Sequence, residues 1–373
     1  MKRNYSVIGL DIASDRIRLL QLRWQKESLS IHQASQTVLD CHQDEKGLTD
    51  ALRNLLSRGK YKGNQVMAAL PNSLVTTIPI KFTLKEGEGT DQAILREARN
   101  YLSFPLENGV IDYLNLPASD QRSQQTKVQT LAALLMAAQR EDILKYLNLF
   151  KAAGLEASVI EPRYCALFRA IQWAQQGEPL KDQFVFSLEE NDAMFMVLVD
   201  EQILVVRELN WGINAIKERV GNLLGLKGGR VNHVLRYYGV DPGRGEHPGG
   251  EKTDSLPGEG DSLWRSRCQV ITEVLSPALE DFCQEIQKVL SYCVSMVQQR
   301  VIDRALLIGE GSMIRGLDQF IQQRTGIHIT VWHDVPPVKE LEEAYPFFEV
   351  ALGLALRGIK SSQVSKPLSV SDR

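Results

Sequence analysis

The chain has 373 residues, of which 43% are hydrophobic and 24% are charged, and its formal net charge is -3. This length suggests two or three domains, and the composition is ordinary for a soluble globular protein. The net charge gives no sign of the basic domain typical of nucleic-acid-binding proteins. The longest apolar run, LAALLMAA at 131–138, is far shorter than the roughly 20 residues of a membrane-spanning helix.

The cysteines and the N-terminus both favour a cytoplasmic protein. The five cysteines are odd in number, widely spread and without a C-x-x-C pair: Cys41, Cys165, Cys268, Cys283 and Cys293. This pattern predicts reduced thiols rather than disulfides or zinc ligands. The six histidines show no metal-ligand spacing either. The N-terminus begins basic, but Asp11 interrupts the apolar stretch that a signal peptide needs.

Three strand-like segments open the chain, and helices and strands follow in alternation. YSVIGLDI, from residue 5, is a nearly continuous apolar run, as expected of a central strand. RIRLLQLRW and SLSIHQASQTVL alternate apolar and polar residues, which predicts half-buried antiparallel strands. Further strands are predicted at 65–71, 76–82, 109–117, 128–138 and 155–162, and helices at 47–59, 88–103, 140–154 and 163–176.

The opening pattern recurs from about residue 184. DQFVFSLEEN, DAMFMVLVDE and QILVVRELN are three short strands in a row, and helices and strands follow them as in the first half. This is a repeat of architecture without a residue-level repeat, and it predicts two α/β domains of like design. Residues 241–262, rich in glycine, proline and charge, are predicted to form a flexible loop, and the tail 361–373 likewise.

The stretch GLDIASDRIRLLQL, from residue 9, is the first candidate site. A tight turn after a strand directs successive backbone N–H groups outward, and such a nest can bind a phosphate. Asp11 would then orient a magnesium-bound water, and Ser14 would donate to phosphate oxygens. The same residues also suit an ordinary hairpin turn, in which Asp and Ser favour the turn geometry.

The stretch LLIGEGSMIRGL, residues 306–317, is the second candidate site. A strand meets Gly309 and Gly311, and Ser312 is predicted to cap the helix that follows. Glycines allow close backbone approach, and a helix N-terminus suits an anionic ligand such as a nucleotide. Strand–glycine–helix joints also occur in α/β proteins for packing reasons alone.

Taken together and in this order, several stretches resemble the PilM family of cytoplasmic type IV pilus assembly proteins, which belongs to the actin-like superfamily. The stretches are GLDIASDRIRLLQL, AALPNSLVTTIPI, REARNYLSFPLENGVIDYLNL, AAGLEASVIEPRYCALFRA, VVRELNWG, LLIGEGSMIRGL and EVALGLALRG. The resemblance implies an α/β protein with two related RNase H-like domains around a nucleotide cleft. The first domain is expected at 1–180 with an inserted small subdomain at about 60–125, the second at 181–340, and a helix returning to the first domain at 341–360.

The resemblance also implies which residues would bind a nucleotide. They are Asp11, Ala13, Ser14, Arg18, Gly309, Gly311 and Ser312, with Asp11 holding Mg²⁺ through water. Ala13 stands where the family usually has glycine, and Arg18 replaces the usual lysine and keeps its charge.

The second phosphate loop departs further from the family pattern, because Ser187 and Glu189 replace the usual aspartate and glycine. A glutamate facing a phosphate at ~4 Å would cost about 4 kcal/mol at an effective dielectric near ~20. We therefore expect no cofactor, or weak binding of ATP with magnesium, and little hydrolysis, with enzymatic activity left open.

The function implied is that of a non-catalytic scaffold. In the family, a groove between the first domain and its inserted subdomain captures the short cytoplasmic N-terminal segment of a single-span inner-membrane protein. The chain is therefore expected to be peripheral to the inner membrane through this partner, with no nucleic-acid partner and with homo-oligomerisation left open.

One alternative is an active actin-like ATPase or sugar-kinase-like enzyme, for which Glu161 and Asp200 near strand ends are candidate bases. The other is the cytoplasmic component of a type II secretion system, although such proteins usually continue into a membrane-spanning helix.

Overall fold

The computed structural model of the protein describes residues 5–25, 28–39, 44–116, 130–209, 211–240, 261–294, 300–334, 347–357 and 368–369. The chain divides into two compact units. Unit 1 comprises Met1–Lys181, Leu198–Val206 and Pro336–Arg373, and unit 2 comprises Asp182–Val197 and Arg207–Val335. The loop predicted at 241–262 lies outside the described residues, except for its last two, which begin a long helix.

Unit 1 is built on a six-stranded mixed sheet. Its strands are β1 (Ile8–Ile12), β2 (Arg16–Gln25), β3 (Ser28–Val38), β4 (Gln65–Leu70), β8 (Glu156–Pro162) and β14 (Leu368–Ser369), in the order β14-β3-β2-β1-β4-β8. β1 pairs antiparallel with β2 and parallel with β4. All five residues of β1 are buried, as its apolar run predicted for a central strand. β14 falls in the predicted flexible tail, but its two residues pair in parallel with β3.

A small three-stranded sheet is inserted between β4 and β8. It contains β5 (Thr76–Thr83), β6 (Gly109–Leu116) and β7 (Thr130–Gln139), and β7 is central and antiparallel to both neighbours. Helix α2 (Thr90–Ala98) packs on one face, where its Ile94 joins a cluster that includes Ile80, Ile111 and Tyr113. The inserted sheet thus extends from 76 to 139 rather than from about 60 to 125, because β4 belongs to the larger sheet and β7 to this one.

The second large sheet has five strands: β9 (Gln183–Leu188), β10 (Ala193–Val199), β11 (Gln202–Leu209), β12 (Arg304–Ile308) and β13 (His328–Val331). Their order is β11-β10-β9-β12-β13, with β12 parallel to both β9 and β13. This order matches β3-β2-β1-β4-β8 in unit 1, strand for strand. The predicted repeat of architecture is therefore confirmed.

The remaining α-helices are α1 (Glu45–Arg58), α3 (Arg140–Ala152), α4 (Arg163–Ala174), α5 (Asn214–Leu224), α6 (Gly229–Tyr237), α7 (Asp261–Val294), α8 (Leu317–Thr325) and α9 (Glu349–Leu356). α9 is buried along its whole length and packs against α4 and β1 in unit 1. Among the described residues, no helix is both long and apolar enough to cross a membrane.

Backbone contacts between elements fix the position of α9. A Cβ atom at Gly353 of α9 would lie 1.8 Å from the carbonyl oxygen of Ala166 in α4. A Cβ atom at Gly9 of β1 would lie 2.1 Å from the carbonyl oxygen of Ala351 in α9. Only glycine fits at these two positions, because the atoms in contact belong to backbone that cannot rotate away.

Candidate functional site

The predicted phosphate turn joins β1 to β2 in unit 1. The backbone N–H of Ala13 donates to the carbonyl oxygen of Arg16 at 2.9 Å, which closes a tight hairpin turn. Ser14 is exposed on the turn, whereas Ala13 is buried. The structure thus has the turn that the sequence predicted, with the predicted hydroxyl at the surface.

Asp11, the predicted magnesium residue, lies in a buried ion-pair cluster instead of at the surface. Its Oδ1 atom accepts a hydrogen bond from Nε of Arg163 at 3.0 Å. Its Oδ2 atom accepts from Nη2 of Arg163 at 3.3 Å and from Nη1 of Arg18 at 3.1 Å. The exposed fractions are 0% for Asp11, 1% for Arg18 and 5% for Arg163. A buried carboxylate needs such partners, since desolvating an unpaired charge is costly.

This cluster does not fit a magnesium site. Mg²⁺ is bound through carboxylate oxygens and usually keeps several waters in an octahedral shell. Both oxygens of Asp11 already accept from guanidinium groups, and the carboxylate has no exposed surface for a hydrated ion.

In unit 2, the second phosphate loop and the glycine-rich segment lie against each other. Ser187 and Glu189 are both buried, and Glu189 is only 3% exposed. Gly309 has φ of +83°, and a Cβ atom there would lie 2.6 Å from the carbonyl oxygen of Leu188 and 3.2 Å from Oε1 of Glu189. A Cβ atom on Gly311 would lie 2.6 Å from Cβ of Leu188. The two glycines therefore allow close packing of the loop that carries Glu189.

The prediction that Ser312 caps a helix is wrong. The segment after Gly309 continues as a 3₁₀ turn, Glu310–Met313, in which the N–H of Ser312 donates to the carbonyl oxygen of Gly309 at 3.0 Å. Helix α8 begins only at Leu317, and its N-cap is Gly316 with φ of +72°. The backbone N–H of Ser312 is bonded within the 3₁₀ turn. The N-cap residue of α8 is therefore Gly316, four residues after Ser312.

Lys217 of α5 is a charged residue of this region that sequence reasoning missed. Its Nζ donates to Oε2 of Glu310 at 2.9 Å, and it also forms an ion pair with Glu190. The two loops of unit 2 carry three carboxylates, those of Glu189, Glu190 and Glu310. The ammonium group of Lys217 pairs with the last two, and Glu189 is buried. Lys217 also lines a polar cavity of about 460 Å³. Its partners are 27 and 93 residues away in sequence, so no local motif pointed to it.

A groove of about 790 Å³ lies within unit 1, between the inserted sheet and the six-stranded sheet. On one side, Val110, Asp112 and Leu114 share one face of β6, since alternate residues of a strand point the same way. The side chains of Val110 and Leu114 are 41% and 37% exposed, which makes this wall apolar and open. The other side comes from β8 and α4, including Val159 and Phe168.

Three charged residues of this groove, Glu161, Arg169 and Arg357, pair with one another. Glu161 of β8 is 6% exposed and accepts from Nη1 and Nη2 of Arg169 at 2.8 and 3.0 Å. It also forms an ion pair with Arg357, and Nη1 of Arg169 donates to the carbonyl oxygen of Gly353 at 2.7 Å. Both carboxylate oxygens of Glu161 are thus bound by guanidinium donors of the protein itself.

Two further candidate groups are unsuited to chemistry. Cys165 lines the groove, and burial raises the pKa of its thiol to about 12, so almost no thiolate is present near neutral pH. Asp200, the second candidate base, is exposed in the turn between β10 and β11, where its φ is +50°. The thiol that shares the groove with Glu161 is thus protonated, and Asp200 does not line the groove.

Comparison with known proteins gives one family and a consistent fold. The family model described as Type IV pilus assembly protein PilM matches residues 9–233 and 264–359. A search among curated proteins found no match. The solved PilM-PilN type IV pilus biogenesis complex contains a chain that is 20% identical, with 95% of this chain and 99% of that chain covered and a TM-score of 0.71. The ethanolamine utilization protein EutJ from Carboxydothermus hydrogenoformans is 13% identical, with 96% and 91% covered and a TM-score of 0.54. These likenesses agree with an actin-like fold of two α/β units.

Proposed function

The chain belongs to the PilM family of type IV pilus assembly proteins, and we propose that it is a non-catalytic scaffold for pilus assembly. Its ligand is the short cytoplasmic N-terminal segment of a single-span inner-membrane protein, which brings the chain to the cytoplasmic face of that membrane. A structural neighbour is described as a PilM-PilN complex, which supports a protein partner of this kind.

The groove of unit 1 is the observation that carries this proposal. β6 is an edge strand of the inserted sheet and β8 is an edge strand of the six-stranded sheet. Both strands line the groove, so backbone groups at a sheet edge lie beside apolar side chains. An extended peptide can pair with such an edge while its alternate side chains occupy pockets. Val110 and Leu114 offer the apolar contacts for those side chains.

The nucleotide site is proposed to be degenerate. Asp11 is held by two arginines, and the loops of unit 2 carry Glu189, Glu190 and Glu310, of which Lys217 pairs with the last two. Within unit 2, a phosphate at those loops would meet like charges. Within unit 1, the carboxylate that would hold a magnesium ion is already paired. Calorimetry with Mg-ATP tests this point, since micromolar affinity with turnover would favour an active ATPase instead.

Peptide binding is tested by fluorescence anisotropy with the labelled cytoplasmic segment of the single-span pilus protein encoded beside this chain. We expect Leu114→Asp and Val110→Asp to weaken binding at least tenfold each, because a charge replaces an apolar contact worth about 1.5–3 kcal/mol when fully buried. The matched control is Leu95→Asp, on α2 of the same insertion but outside the groove, with 41% exposure. Absence of binding by the unaltered protein at high micromolar peptide would contradict the proposal.

A further inference from the structure

Three consecutive residues join β8 to α4, and their two charged side chains enter different ion-pair clusters of unit 1. Glu161 pairs with Arg169 and Arg357 at the groove. Pro162 follows as the N-cap residue of α4, with extended backbone angles of φ -62° and ψ 144°. Arg163 then pairs with Asp11 on β1. The joint is therefore held at both ends by buried charges.

Arg163 is well placed to fix the direction in which α4 begins. Its guanidinium contacts Asp11 through two nitrogen atoms, at 3.0 and 3.3 Å. Two bonds to one carboxylate restrain orientation as well as distance. Asp11 in turn lies in the central strand of the sheet, which is buried throughout. The first turn of α4 is thus tied to a strand that is buried along its whole length.

The same helix forms a wall of the groove. Cys165, Phe168, Arg169 and Gln172 follow Arg163 by two to nine positions, and all four line the groove. The opposite side of α4 is held by apolar packing, since Ala166, Leu167, Ala170 and Ile171 are at most 1% exposed. Loss of the Arg163 contact would therefore leave the helix folded and would free mainly its first turn, where the groove begins.

We infer that Arg163 is a positioning residue for the groove, and that Asp11 now serves to orient α4 in place of binding a metal. The inference rests on the proposed peptide-binding function. It explains how the groove keeps its shape without a bound nucleotide, because an internal guanidinium supplies the positive charge that a metal ion would otherwise bring to Asp11. Peptide binding then requires the Asp11–Arg163 pair and is independent of Mg-ATP.

The first test is peptide affinity in full-length variants, each checked to be folded by circular dichroism at the assay temperature. Arg163→Gln is expected to weaken peptide binding at least tenfold, and Arg163→Lys is expected to restore part of the loss. The double variant Asp11→Asn with Arg163→Gln should lose no more affinity than Arg163→Gln alone, since both changes break the same Asp11–Arg163 pair. Arg16→Gln is the matched control. Arg16 lies in the β1–β2 hairpin that also carries Asp11, but it pairs with Asp15.

The second test needs no peptide and separates the two proposals. Alkylation of Cys165, followed by mass spectrometry, reports the exposure of the first turn of α4. Its rate should rise at least fivefold in Arg163→Gln and remain unchanged in Arg16→Gln. Unchanged alkylation and unchanged affinity in folded Arg163→Gln would overturn the inference, as would a rise in the peptide affinity of the unaltered protein on addition of Mg-ATP. If the alkylation rate rises but the unaltered protein binds no peptide, the positioning role is supported and the proposed function fails.

Discussion

Replacement of Gly353 by alanine tests the close packing of α9 most directly. The added Cβ atom would lie 1.8 Å from the carbonyl oxygen of Ala166, whereas Cβ contacts below 3.0 Å are essentially never seen. The deficit of roughly 1.2 Å cannot be relieved by a rotamer change, since both atoms are fixed to backbone. α9 must therefore move away from α4, and the hydrogen bond from Arg169 to the carbonyl oxygen of Gly353 must lengthen.

The magnitude follows from two opposing effects. Overpacking a core costs typically about 1–3 kcal/mol and occasionally more, and a backbone–backbone clash belongs at or above the upper end, at about 3–4 kcal/mol. Alanine is a better helix former than glycine by about 1 kcal/mol, which offsets part of this cost. The net loss in the free energy of unfolding is about 2–3 kcal/mol. For a unit of this size, such a loss lowers Tm by about 5–10 °C.

Differential scanning calorimetry of full-length Gly353→Ala against the unaltered protein provides the measurement. Gly229→Ala is the control, because Gly229 lies in helix α6 and a Cβ atom there would have open space around it, with no tertiary contact within 4 Å among the described residues. The control is expected to leave Tm unchanged or raise it slightly. A Tm of Gly353→Ala within about 2 °C of the unaltered protein would refute the argument that α9 and α4 meet through their backbones.

Two further predictions concern titratable groups. Burial raises the thiol pKa of Cys165, Cys283 and Cys293 to about 12, so the native protein at pH 8 should alkylate at these positions about a thousandfold more slowly than an ordinary thiol. Peptide mapping by mass spectrometry measures this rate, and rapid native labelling would contradict the buried environment. The pKa of Tyr113 is raised because its hydroxyl donates to Asp91 at 2.6 Å. In Asp91→Asn, the ultraviolet absorbance titration of Tyr113 should therefore shift to lower pH, and an unchanged titration curve would show that the bond is absent in solution.

The periodicity of apolar residues was enough to predict the repeated architecture. The apolar run of β1 correctly predicted a strand that is buried on both faces. The antiparallel pairing of β2 and β3 is confirmed, but the prediction that β2 is half-buried is wrong, since residues 17–22 are all buried. The recurrence of three strands near residue 184 appeared in the structure as the same strand order. The joint between β8 and α4 was also predicted within one residue.

Nucleotide binding by the candidate residues stays a prediction, and the contacts among them were predicted less well than the fold. The family resemblance pointed to Asp11 and Arg18, which the structure indeed brings into contact. It did not predict that Arg163, which is 152 residues away in sequence, would donate hydrogen bonds to both carboxylate oxygens of Asp11. The helix start after Gly309 was misplaced because a 3₁₀ turn and a helix N-terminus share the same glycine and serine signals.

Local residue patterns determined the strands, most of the helices and the two-fold repetition, because each of these depends on burial and backbone preference within a few residues. The tertiary structure alone decided which charges neutralise Asp11, how close α9 lies to α4 and where the groove opens. Those features depend on distances between side chains and backbones that are far apart in the chain. Which buried charges form pairs depends on their distance in the folded protein and on the free-energy cost of desolvating them. The spacing of residues along the sequence determines neither quantity.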